Sequence, residues 1–195
     1  MTLLSIHPDP LAFHPTSLSI HPALTLTRLE EDSPALADDC RRFCLRIIKL
    51  TYGYDYRPDW HDDLDSLREG EASHYAPGNR GAFFAVRDAE GNVVGTAGMR
   101  GLSYRPSIAA LFTRRYPDIE RVAFNGRVYV DPAWRKHGLG RLLIGVRENA
   151  ARSMGYATLY HHCDAKAERL RQYWIGQGFR LVAEGDAVAH YDKAL

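Results

Sequence analysis

One run of the chain limits its fold more than any other: Arg127-Val-Tyr-Val-Asp-Pro-Ala-Trp-Arg-Lys-His-Gly-Leu-Gly-Arg-Leu-Leu-Ile144. A β-rich segment stops at Asp131-Pro132, and an amphipathic helical pattern begins after Gly138. The backbone must therefore run strand, tight loop, helix. Glycines at 138 and 140 permit the positive φ angles that turn successive N–H groups toward one anion. The helix adds its unpaired first-turn amides and the positive end of its dipole. Arg135, Lys136 and Arg141 surround the same spot with positive charge, so the arrangement suits a pyrophosphate. Leu143 excludes both a dinucleotide fingerprint and a Walker A loop, which need other residues there.

At 195 residues with 45% hydrophobic side chains, the chain is long enough for one well-packed domain and short for two. Its net charge of +1 gives no general attraction to nucleic acid or to an anionic membrane. Cys40, Cys44 and Cys163 form an odd set in a chain without a secretory segment or long apolar run, which predicts a cytoplasmic protein with reduced thiols. Cys40 and Cys44 share a helical face with Leu36, Phe43, Ile47 and Ile48, so they read as small buried hydrophobes.

Residues 1–23 read as an extended N-terminal arm, and 24–195 as the domain. Leu-Ser-Ile-His-Pro occurs twice in the arm, and its prolines forbid a continuous helix. No other metal ligand accompanies its histidines, so the arm is expected to lie along the domain or along a second copy in a homodimer. Leu24 to Arg28 alternates as a first strand. Ser33 and Pro34 then open a helix with a 3.6-residue apolar period, ending near Thr51. Two further strands, 81–88 and 92–99, are joined by a turn at Ala89-Glu90-Gly91-Asn92. Residues 101–120 read as an inserted short helix. After the glycine loop come a helix to Ser153, a strand over 157–162, a helix from about Ala165 to Ile175, and Gly178-Phe179.

Arg135, Gly138 and Gly140 between strand and helix, with this element order on both sides, resemble the GNAT superfamily of acyl-CoA-dependent N-acyltransferases. The resemblance spans about residues 24–195. It implies an α/β (α+β) fold: a mixed, mostly antiparallel central sheet flanked by helices, here with an extra helix between strands 3 and 4. It also implies acetyl-CoA as cosubstrate. No metal is expected, because the contiguous ligands His161, His162, Cys163 and Asp164 diverge on a strand. The pyrophosphate would sit on Arg135, Lys136, His137, Gly138, Leu139, Gly140 and Arg141, and the pantetheine arm beside Val128, Tyr129 and Val130. The inserted helix also resembles acyl-homoserine-lactone and N-acyl amino acid synthases, which use long acyl chains. That branch carries an acidic residue where this chain has Phe124, although Arg127 fits its pattern.

The activity so implied is acetyl transfer to a primary amine of a small molecule or peptide, by direct attack in a ternary complex. The alternatives are a long-chain N-acyltransferase and a catalytically silent acyl-CoA-binding module. Tyr52, Tyr54, Tyr56 and Trp60, followed by Asp59, Asp62, Asp63, Asp65, Glu69 and Glu71, would make an aromatic and acidic wall for a cationic amine. A solvated short helix with Leu64 and Leu67 inward explains the same residues. His161, His162, Glu120 and Asp131 are the candidates for proton removal, and adjacent histidines on a strand point to opposite faces. Many family members place a Tyr four residues before the Gly of Gly-Phe. Here Trp174 holds that position, and the neighbouring Tyr173 is the candidate acid for the leaving thiolate.

Overall fold

The computed structural model describes residues 16–18, 21–29 and 33–195. Most of the arm expected at 1–23 lies outside the described residues. Its described end is a strand, β1 (Thr16–Leu18), paired antiparallel with β2 (His21–Arg28). β2 starts three residues before the expected Leu24, because pairing with β1 organises the backbone from His21 onward.

The next helix, α1 (Pro34–Tyr52), buries Ala37, Cys40, Phe43, Cys44, Ile47 and Ile48 along one stripe and closes at Gly53 with φ 74°. Ser33 stands at its N-cap without a side-chain capping bond. Such a bond is typically worth about 1 kcal/mol, whereas each large side chain buried contributes about 1.5–3 kcal/mol. Packing, not capping, holds this helix. A short helix, α2 (Pro58–Asp65), buries His61, Asp63 and Leu64. Strands β3 (Ala82–Arg87) and β4 (Val93–Gly101) form the expected hairpin. At its turn Asp88 accepts the Asn92 N–H at 2.8 Å and Gly91 takes φ 86°.

The insert contains α3 (Pro106–Leu111) and leads into β5 (Val122–Val130). Then follow α4 (Leu139–Ser153), β6 (Thr158–Asp164), α5 (Glu168–Gly176), β7 (Arg180–Glu184) and β8 (Val188–Ala194). Asp164 accepts the Lys166 N–H at 2.8 Å, and α5 begins only at Glu168. The aspartate therefore makes the turn before the helix and not its N-cap.

Among the described residues the sheet has eight strands in the order β1-β2-β3-β4-β5-β6-β8-β7. β5 and β6 are parallel, and every other neighbouring pair is antiparallel. Strand alternation sends Phe84, Val86 and Ala123 to the face covered by α4 and α5, with Leu143, Ile144, Trp174 and Phe179. It sends Phe83 and Ala85 to the face covered by α1. The insert packs on that second face, where Leu102, Phe112 and Tyr116 bury Val122 and Tyr160. Among the described residues no helix is long and apolar enough to cross a membrane.

Candidate active site

After β5, the Asp131 side chain accepts the Ala133 N–H at 2.9 Å and the Arg46 guanidinium at 2.7 Å, fixing the turn at Pro132. Arg135 folds back to donate to the Val130 carbonyl at 3.2 Å. Lys136 and Gly138 both take positive φ, 67° and 83°. Two left-handed residues in three turn the intervening amides to one side, the geometry of an anion nest. Leu139, 1% exposed, pins the start of α4 in the core, while Arg135, Lys136, His137, Gly138 and Arg141 stay exposed. The structure thus brings together the residues that the sequence reading assigned to the loop. A Cβ on Gly140 would come 2.6 Å from the Tyr173 hydroxyl oxygen, so α5 lies close over this turn.

A second feature lies in the sheet. β5 and β6 pair at three positions, ending at Phe124 opposite Tyr160. Beyond that point β6 continues along β8 to Asp164, while β5 turns toward the glycine loop. Among the described residues, the edge of β5 that faces β6 has no strand partner there. One bond spans the divergence, from His161 Nδ1 to the Asn125 carbonyl at 3.1 Å. Opposite it, the β4–β5 register shifts between Gly98–Gly126 and Thr96–Tyr129. Arg127, inside this bulge, takes φ 53°. Its carbonyl is held by the Thr96 hydroxyl at 3.0 Å.

On the α4/α5 side of the divergence, these buried polar atoms have no hydrogen-bond partner among the described residues: His161 Nε2, both amide atoms of Asn125, Trp174 Nε1, and Nη1 and Nη2 of Arg147. The Trp174 and His161 rings lie 4.0 Å apart. Because His161 Nδ1 faces a carbonyl it must carry the hydrogen, which leaves Nε2 as an acceptor. Burial pushes His161 down to about 3 and lowers Arg147 to about 9. Orphaned donors and acceptors of this kind are costly unless a polar ligand meets them. The amides, hydroxyl and thioester of an acyl-pantetheine arm supply such groups, so these residues fit coenzyme A. Asn125 and Arg147 were missed in the sequence. The signal for Arg147 was its place in the apolar stripe of α4, one turn after Leu143 and one before Ala151.

On the opposite face, Asp63, 1% exposed, receives Arg127 Nε at 2.8 Å and a second bond from Nη2. Tyr75 also donates to it. Burial alone would raise this carboxyl, but Arg127, Arg100 and Tyr75 outweigh it and hold Asp63 well below the usual carboxylate range. His162 stacks on Phe124 at 5.4 Å. Burial, then the charges of Arg105 and His190, push it down to about 4, so its imidazole is neutral near pH 7. Glu120 pairs with Arg80 at 3.9 Å, and the Asp131 carboxylate is taken by Arg46 and the loop. His162 is the candidate base that remains on this face.

The aromatic and acidic wall expected for a cationic amine is filled by the chain itself. Arg57 lies 5.0 Å from the Tyr54 ring centre and 4.4 Å from that of Trp60, and Arg41 lies 5.1 Å from Tyr56. Asp65 accepts bonds from Arg41 and Tyr56, Asp63 from Arg127, and Asp62 lies 3.9 Å from Arg105. Local arginines thus occupy the Tyr54, Tyr56 and Trp60 rings and the Asp62, Asp63 and Asp65 carboxylates, so these six residues do not present a free cation site.

The acetyltransferase (GNAT) family profile matches residues 42–179. Among solved structures, the chain is similar to an acetyltransferase from Streptococcus agalactiae 2603, with TM-score 0.68 and 16% identity over 90% of this chain and 100% of that one. A GNAT-family acetyltransferase from Staphylococcus aureus Mu50 gives TM-score 0.66 and 18% identity over 87% and 99%. The PaiA N-acetyltransferase of Thermoplasma acidophilum, solved in complex with coenzyme A, gives 0.57 and 13% over 88% and 99%. No curated protein sequence matches the chain.

Proposed function

The chain belongs to the acetyltransferase (GNAT) family, whose reaction is acyl transfer from a coenzyme A thioester to an amine, and we propose that it moves an acetyl group from acetyl-CoA to a primary amine of a small molecule or peptide. The observation that carries this reading is the divergence of β5 from β6 after Phe124, one strand's length before the Lys136–Gly138 nest. The nest binds the pyrophosphate. The free edge of β5 at Val128, Tyr129 and Val130 pairs with the amides of the pantetheine arm, and Arg147 and Asn125 meet its remaining polar groups from the α4/α5 side.

Acetyl-CoA supplies an activated acyl group with a good leaving thiolate. The chain's own residues orient it and move protons. The amine approaches from the α1/α2 face, where neutral His162 takes its proton. The amine nitrogen bonds to the acyl carbon as the carbon–sulfur bond breaks. Backbone N–H groups near Val130 stabilise the charge that develops on the carbonyl oxygen. We assign the proton returned to the thiolate to Tyr173, the residue of α5 that carries a hydroxyl. Trp174, with its unpaired N–H beside His161, offers that sulfur a hydrogen bond but no transferable proton.

The test is release of coenzyme A from acetyl-CoA with a panel of amines, together with calorimetry of a Gly138→Asp protein. That substitution puts a carboxylate into the nest at φ 83°. Loss of acetyl-CoA binding in a folded variant supports the site, and unchanged binding sinks it.

A further inference from the structure

The inserted segment after β4 packs on the face of the sheet opposite α4 and α5, with Val122 and Tyr160, and brings charge to that acceptor face. Arg100, the next-to-last residue of β4, lies beneath it, 1% exposed, with Nε and Nη2 unpaired among the described residues and Nη1 donating to His74 Nδ1. Its guanidinium carbon lies 6.0 Å from the centre of the Phe124 ring. Arg105, on the insert, lies 5.9 Å from the same ring. Phe124 is the last residue of β5 paired with β6, and the candidate base His162 stacks on it. Two guanidinium groups therefore flank the ring that marks where acceptor and thioester must meet.

Asp62, Asp63 and Glu69 all act on this cluster through His74, but Asp62 is half exposed and lies 3.9 Å from Arg105, and Arg127 takes both oxygens of the buried Asp63. Among the described residues no carboxylate bonds Arg100. A buried guanidinium with two unpaired nitrogens is a costly feature. Its planar fork matches one ligand group above all, a carboxylate, which accepts two parallel N–H bonds.

We infer that the insert and the end of β4 form a carboxylate-binding subsite, with Arg100 and Arg105 holding the acid group of an amino acid whose amine is presented to His162. This deepens the proposed function and rests on it for the reaction: the ammonium first loses one proton to solvent, the free amine bonds to the acyl carbon while a second N–H proton passes to His162, and coenzyme A leaves as the thiolate that Tyr173 protonates. The product is an N-acetyl amino acid. The insert is then a specificity element. It replaces the aromatic wall near Tyr54 and Trp60, which the chain's own arginines fill.

The experiment compares each of a set of α-amino acids with its primary amide, a pair that differs at the carboxylate while keeping the amine and the side chain. Release of coenzyme A from acetyl-CoA by the full chain is followed with a thiol reagent. The acid should exceed its amide in kcat/KM by about 30-fold or more for at least one pair, the scale expected when one charge-assisted contact is lost. Arg105→Gln, at a partly exposed position, should raise the KM for that acid about tenfold with acetyl-CoA affinity nearly unchanged, and should shrink the acid-to-amide ratio of kcat/KM about tenfold, a ratio in which the effect of its charge on His162 cancels. Amides equal to or better than their acids would overturn the subsite and leave the transferase reading intact. Where neither member of any pair releases coenzyme A, calorimetry of the coenzyme A-loaded protein decides. Binding of an acid but not its amide keeps the subsite while counting against the transferase reading, and equal or absent binding overturns the subsite.

Discussion

Arg127 grips the buried carboxylate of Asp63 with two nitrogens, Nε at 2.8 Å and Nη2, and this pair ties α2 to the bulge of β5. Arg127 stands at φ 53°, a conformation that needs support from its surroundings. Asp63→Asn leaves a buried guanidinium without its counter-charge, so it should destabilise the protein by about 3–5 kcal/mol. Urea unfolding at pH 7 measures this. The folded pKa of Asp63 lies below the unfolded value of about 3.9, so its contribution is complete above that pH and is lost as pH falls toward the folded value. The wild-type protein should weaken through that acid window, and the Asn variant should lack this part of the slope.

The glycine loop and the faces of the sheet were legible in the sequence because their signals are local. Gly138 and Gly140 sit between a β pattern and a helical one, and the α1 stripe repeats over four turns. Arg100, Asn125 and Arg147 were not legible as site residues. Their meaning depends on what stands opposite them in space, and a buried arginine looks in sequence like an exposed one. The carboxylates near Asp63 misled for the same reason: their partners, Arg41, Arg105 and Arg127, come from three other elements. The phase of α5 was equally closed to view. A helix turns 100° per residue, so one position decides whether Tyr173 or Trp174 meets His161. The structure gives that place to Trp174.

His162 and His161 should separate cleanly under mutation. His162→Gln removes the neutral base on the acceptor face and should lower kcat by about 10²-fold, with acetyl-CoA affinity nearly unchanged. His161→Gln removes the bond to the Asn125 carbonyl that spans the divergence of β5 and β6, so its effect should fall on acetyl-CoA binding. Steady-state kinetics with each substrate varied in turn checks both, and equal kcat losses would sink the division of roles.

Arg147 offers a test in which stability and binding move in opposite directions. Its side chain is fully buried on α4 with two unpaired nitrogens. Replacing a buried, uncompensated charge with an apolar group of similar length is neutral or stabilising, so Arg147→Met should hold or raise the Tm of the free protein. If Arg147 meets the pantetheine arm, the same variant should bind acetyl-CoA about 10-fold more weakly, the loss of one charge-assisted contact. Thermal melts with and without acetyl-CoA measure the two effects in one experiment. A variant that gains stability and keeps its affinity would remove Arg147 from the site.

The proton for the thiolate is decided by Tyr173 and Trp174 together. The Tyr173 hydroxyl rests over Gly140, with Arg147 and Arg141 near enough to act on it. Burial raises its pKa, and the two arginines pull it back. An acid must be protonated to act, so a catalytic Tyr173 makes kcat fall as pH rises through that pKa, and Tyr173→Phe abolishes this alkaline limb. The Phe variant should lose on the order of 10²-fold in kcat with little change in acetyl-CoA affinity. Trp174→Phe takes away one N–H while keeping an aromatic ring against His161, so it should cost about tenfold in kcat and leave the pH profile in place. The position over Gly140 supplies the opposing outcome. If Tyr173→Phe raises the KM for acetyl-CoA and lowers kcat by less than about threefold, the hydroxyl serves the phosphate loop. The thiolate then leaves with the Trp174 hydrogen bond alone, which a leaving group of reference pKa about 8.5 tolerates near neutral pH.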